Sequence, residues 1–154
     1  MNATKKTATR DTSATGWTDE ERAAMKEHVA ELKKEKSRGG KTSAADGLAD
    51  LLDKIGQLPA EDKAMAERIH SVVMAAAPDL APRTWYGMPA WALDGKVLCF
   101  FTPASKFKER YSSFGFNAVA NLDEGTMWPT AWALTKLSKA DEKRIGDLVK
   151  KAVG

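Results

Sequence analysis

Between Thr84 and Phe101 the chain reads TWYGMPAWALDGKVLCFF, two apolar runs separated by Asp94-Gly95. Asp-Gly at that place predicts a two-residue type I′ turn, which needs positive φ at both central residues and closes a β-hairpin. A two-residue loop fixes the register, so Leu93 is expected opposite Lys96, Ala92 opposite Val97, Trp91 opposite Leu98 and Ala90 opposite Cys99. One face then carries Trp91, Leu93, Leu98 and Phe100, the other Ala90, Ala92, Val97, Cys99 and Phe101. Neither face is polar. Both sides of the sheet therefore need cover, and the small residues of the second suit a closely packed helix. The bulky Trp91 face can be closed core or the wall of a pocket.

The flanking segments supply helices and further strands. Thr18 followed by Glu21 forms a capping box, and Met25, Val29 and Leu32 recur at helical spacing, predicting a helix over 17–36 with a narrow apolar stripe that either docks on the domain, where Trp17 can also pack inward, or stands partly free. Residues 37–47, SRGGKTSAADG, read as a flexible linker. Leu48, Leu51, Leu52 and Ile55 make a short amphipathic segment, and Pro59 opens a helix whose stripe is Met65, Ile69, Val72, Val73 and Ala76. A strand is expected from about Arg110 to Phe116 and another around Trp132 and Leu134, held to a sheet edge by Pro129. Ser138 with Asp141 caps a last helix carrying Ile145, Leu148, Val149 and Ala152. Strands in the middle and helices at both ends predict an α+β fold: a small antiparallel sheet of about four strands packed with flanking helices, over 48–154. Residues 1–16, rich in Thr, Ala and Lys, are expected to be a disordered tail.

With 154 residues the chain is long enough for one domain with its own core. A net charge of +3, from 24 basic and 21 acidic residues, gives no electrostatic reason for a nucleic-acid partner. No apolar run reaches the length of a membrane span, and the first residues lack the apolar core of a secretory signal. Cys99, the single cysteine, cannot form an internal disulfide, so the default location is cytoplasmic.

Catalytic signatures are missing: the sequence contains no GxGxxG, P-loop, HExxH, GxSxG or CxxC pattern, and no catalytic residue is assigned. His28 and His70 each stand alone on a helix, and Cys99 sits mid-strand where a structural thiol is expected. The aromatic concentration is more unusual. Trp85, Trp91, Trp128 and Trp132 all lie in or beside predicted strands, with Tyr86 and Phe100 near them, which suits either core or a ligand-lined concavity. Lys106, Lys108 and Arg110 recur at period two; on an extended segment they would share one side and seat a carboxylate or phosphate, or else blunt a sheet edge against aggregation.

The run TWYGMPAWALDGKVLCFF, then ASKFKERYSSFGF, then NLDEGTMWPTAWAL and a closing amphipathic helix resembles the YdhG-like family, domain of unknown function 1801, over Leu58 to Gly154. The specific part is Tyr86-Gly87-Met88-Pro89-Ala90 leading through an apolar strand to Asp94-Gly95-Lys96. The resemblance implies an α+β domain with an antiparallel sheet, and some relatives carry the label iron chaperone or frataxin-like. Two functions follow as expectations. One is a binding domain without a cofactor, holding a small anionic ligand in an aromatic concavity of the sheet, with Tyr86, Trp91 and Trp132 as wall and Lys106 or Lys108 as charge partner. The other is an iron-binding accessory protein using Asp123, Glu124 and the last helix, although the carboxylates are spread over separate helices and turns. An enzyme with an unfamiliar site stays open beside both.

Overall fold

The computed structural model describes residues 16–154; the expected disordered tail lies, apart from Gly16, outside the described residues. The elements are α1 (Asp19–Ser37), α2 (Ala44–Gly56), α3 (Ala60–Ala76), β1 (Ala81–Trp85), β2 (Met88–Leu93), β3 (Lys96–Thr102), β4 (Ser112–Phe116), β5 (Ala131–Leu134) and α4 (Lys139–Ala152). The strands form one antiparallel meander in sequence order, so β1 and β5 are its edges. The fold is α+β, with five strands where about four were expected. The additional strand is β1, which pairs with β2 through a two-residue turn, Tyr86-Gly87. Among the described residues no helix is long and apolar enough to cross a membrane.

Local signals explain most element ends. Thr18 Oγ1 accepts from the Glu21 N–H at 3.1 Å while the Thr18 N–H donates back to Glu21 at 3.3 Å, completing the capping box of α1. Ser138 and Asp141 do the same for α4 at 3.1 and 2.9 Å. Ser43 caps α2, which begins at Ala44, inside the stretch read as linker. Asp94 and Gly95 have φ of +49° and +81°, as a type I′ turn requires.

The hairpin register departs from the expected one beyond the first two pairs. Leu93 faces Lys96 and Ala92 faces Val97, but Trp91 faces Cys99 and Ala90 faces Phe100, with the shift between Trp91 and Ala92. Leu98 is the extra residue of a β-bulge. The bulge lets Leu98 and Cys99, both fully buried, enter the same core as Trp91, and it carries Phe101 to that side and Phe100 to the other. The helical face therefore presents Trp91, Leu98, Cys99, Phe101, Phe114 and Phe116 to Leu51 and Ile55 of α2, Ile69 and Val73 of α3, and Ile145 and Val149 of α4. Each such side chain, fully buried, is worth roughly 1.5–3 kcal/mol. Arg68 and Glu142 tie α3 to α4 at 2.9 Å.

By register the opposite face carries Ala81, Arg83, Trp85, Met88, Ala90, Ala92, Phe100 and Gly115. The Phe100 ring lies over Gly115, where a β-carbon would collide with it, and beside Trp85, with centroids 5.1 Å apart. α1 crosses the β1–β2 turn with Ala24 as its one buried residue. Two of its three stripe residues face away, Val29 and Leu32, at 50% and 48% exposed, while Met25 is half-buried. The docked side is acidic, a reversal of the expected arrangement.

Candidate functional site

α1, α2 and the edge strand β1 enclose a cleft of about 590 Å³. Its floor is poor in side-chain volume: Ala81 and Ala92 are cross-strand partners, and Ala30 of α1 lies across from them. α2 can approach the strand because of Gly47, where a β-carbon would overlap the Pro82 carbonyl. The walls carry both signs of charge. Lys34 and Arg38 converge on Asp50 at 2.7 and 2.8 Å, and Lys54 pairs with Glu27 at 3.2 Å. The Arg38 hydrogen bond, helped by Lys34, holds the Asp50 carboxyl below the ordinary aspartate range.

Arg83 differs from these. It is half-buried on the cleft lining, its Nε donates to the Thr84 carbonyl at 3.3 Å, and it forms no ion pair among the described residues. A guanidinium has five N–H donors and no acceptor, so a half-buried one with no carboxylate partner can donate to a planar anion. Lys41, exposed at the rim, is also without an ion pair among the described residues.

One end of the cleft meets the Tyr86-Gly87 turn. Tyr86 has φ of +50° and Gly87 +74°, the second type I′ geometry in the sheet, here with a bulky residue in the left-handed region. Glu31 of α1 accepts from both turn amides, Tyr86 N–H at 3.0 Å and Gly87 N–H at 2.7 Å. The Tyr86 ring stacks on His28, centroids 3.9 Å apart and planes within 10°. His28 Nδ1 is buried without a hydrogen bond, 3.7 Å from Glu31. Lys106 reaches Glu27 at 3.4 Å and Lys108 reaches Glu20 at 2.8 Å.

The residues expected to form one concavity are thus separated. Tyr86 and Lys106 do come together, around α1. Trp91 is fully buried in the core, its indole N–H donating to His70 Nδ1 at 3.1 Å, which removes it from any ligand-facing wall. Trp132 lies on the helical face, against Phe116 and under Arg144. Lys106, Lys108 and Arg110 do not share a side, because the segment is turned: the Glu109 N–H bonds to the Ala104 carbonyl and Lys108 has φ of +54°. Arg110 lies over the Tyr111 ring. Asp123 and Glu124 are exposed in the β4–β5 connection, and no cluster of three or more His, Cys, Asp or Glu among the described residues could hold a metal.

Sequence reasoning missed Arg83 and Glu31. The alternation Ala81, Arg83, Trp85 was the available signal for the first, masked by Pro82. Glu31 is one of many glutamates on a charged helix and carried none. No protein-family model, curated protein or solved structure matches the chain.

Proposed function

We propose that this chain is a binding domain for a small anionic ligand, held in the cleft between α1, α2 and β1 with Arg83 as its anchor. The observation that carries the proposal is the guanidinium of Arg83, half-buried and free of any ion pair among the described residues, while Lys34, Arg38 and Lys54 are committed to carboxylates. A carboxylate or phosphate would supply the bidentate partner that Arg83 lacks. The alanine floor leaves room, and about 590 Å³ falls within the usual range for small-molecule sites. The resemblance to the YdhG-like family belongs to the same proposal and adds no ligand of its own.

Trp85 stands two residues from Arg83 on the same face and serves as a reporter. A panel of carboxylated and phosphorylated metabolites is screened by thermal shift and tryptophan fluorescence, with hits titrated calorimetrically against wild type, Arg83→Lys and Arg83→Ala. A hit should bind wild type, bind Arg83→Lys more weakly and lose Arg83→Ala. A panel without hits, or a hit indifferent to Arg83→Ala, would sink the proposal.

A further inference from the structure

The contacts of α1 have a regular pattern. Glu20, Glu27 and Glu31 lie within an arc of about 40° on the helix, at i, i+7 and i+11. Each meets a different donor: Lys108 at 2.8 Å, Lys106 at 3.4 Å, and the paired amides of Tyr86 and Gly87 at 3.0 and 2.7 Å. The corresponding Asp94-Gly95 turn has no carboxylate partner among the described residues, so the engagement at Tyr86-Gly87 comes from α1 and not from the turn type. The donors form a strip that reads an acidic helix face.

We propose that this strip is a docking site for an acidic helix and that α1 of a second copy can fill it, by reciprocal exchange between two chains. Three observations support exchange. α1 docks through ion pairs, the turn amides, the His28–Tyr86 stack and a single buried residue, Ala24, none of which belongs to the core cluster, so releasing α1 does not open the core. The connection to α2 contains Gly39 and Gly40, at φ of +81° and +84° with open space around both, so glycine can adopt the extended backbone a crossing arm needs. Opening it costs the hydrogen bonds from the Gly39 and Gly40 N–H groups to Lys36 and Glu35 and the ion pairs of Lys34 and Arg38 with Asp50 and of Glu27 with Lys54, which the arm of a second copy can make again. Finally, Val29 and Leu32 stay half exposed in the docked helix, and two exchanged arms can bring these stripes together.

Complementary charge reversal in full chains tests this. One variant carries Glu20→Lys and Glu27→Lys, the other Lys106→Glu and Lys108→Glu; each repels its own α1, whereas each α1 matches the other chain's strip. Mixed at equal concentration they should give a one-to-one heterodimer by native mass spectrometry and light scattering, dissolving as salt rises, with each variant alone a monomer. Two folded variants that stay monomeric when mixed overturn the proposal. Should either variant fail to fold, Glu27→Gln/Glu31→Gln is titrated with a labelled peptide of residues 17–38. Binding about tenfold tighter than to wild type, whose strip is filled by its own helix, supports exchange, and equal or absent binding overturns it.

Discussion

The indole N–H of Trp91 donates to Nδ1 of His70 at 3.1 Å, linking the centre of β2 to α3. Accepting that bond places the neutral imidazole's proton on Nε2, and a proton on Nδ1 would break it. Burial lowers the pKa of His70 below the ordinary histidine value. The unfolded chain therefore binds this proton more readily than the folded one, so stability rises with pH across the interval between the folded value and about 6.5. Urea midpoints measured from pH 8 to pH 5 should fall below about 6.5 in wild type. His70→Gln, whose side-chain carbonyl can accept from the indole, should show a flatter profile. Equal slopes would mean that His70 is not the linked group. Loss of the Asp50 and Asp141 contributions belongs to a lower window, since their carboxyls are held below the usual aspartate range.

Cys99 lies on the helical face of β3, fully buried, and burial pushes its thiol far above the ordinary cysteine range. The thiolate is the reactive form, so the native protein should resist alkylation by iodoacetamide at neutral pH and label readily in denaturant. Rapid stoichiometric labelling without unfolding would contradict the packing of this strand.

The hairpin, the caps and the closing helix were legible because each rests on local chemistry: Asp94-Gly95, Thr18 with Glu21, Ser138 with Asp141. The bulge was not, because Leu98 and Cys99 are both apolar and either pairing keeps an apolar residue inward; packing against three helices decides. β1 was hidden by Pro82, which an edge strand tolerates. Its turn lacks an Asn-Gly or Asp-Gly signal and places Tyr86 at positive φ, a conformation supported by Glu31 and His28 from outside the hairpin. The docked side of α1 was misread for a related reason. Helical periodicity identified Met25, Val29 and Leu32, but the partner surface offers lysines and free amides, so the acidic side faces inward. Tyr86 and Lys106, named from sequence, lie beside α1 and outside the cleft lining, while Arg83 needed β1 and the α1–α2 hairpin to become part of a cleft.

The two type I′ turns permit a matched comparison. Gly95 and Gly87 have similar φ, +81° and +74°, but a β-carbon at Gly95 meets open space, whereas one at Gly87 would fall on the Glu27 carboxylate and crowd Lys106. Gly95→Ala should cost only the left-handed backbone term, about 1 kcal/mol, and Gly95→Val about 1 to 2 kcal/mol. Gly87→Ala adds the displacement of Glu27 and should cost about 1 kcal/mol more. Thermal denaturation gives the costs, and amide exchange across residues 19–37 should accelerate in Gly87→Ala only. Equal behaviour of the two variants would show that α1 does not depend on the Glu27–Lys106 contact.

Trp91 and Trp132 offer the sharpest separation between core and surface on the sheet. Both project from the helical face, but Trp91 is fully buried among Phe114, Leu98 and the residues of α2 and α3, while Trp132 sits half-buried on the β5 edge under Arg144. Trp91→Ala removes a large enclosed side chain and leaves His70 Nδ1 without its donor, so it should cost about 3 to 5 kcal/mol. Trp91→Phe keeps much of the volume and should cost about 1 to 3 kcal/mol, mainly from the unpaired imidazole nitrogen. At Trp132 solvent already reaches the ring and the neighbours can close part of the gap, so Trp132→Ala should cost well under half of Trp91→Ala. Urea unfolding of the three variants checks the order, and a Trp91→Ala protein as stable as wild type would exclude the indole from the core.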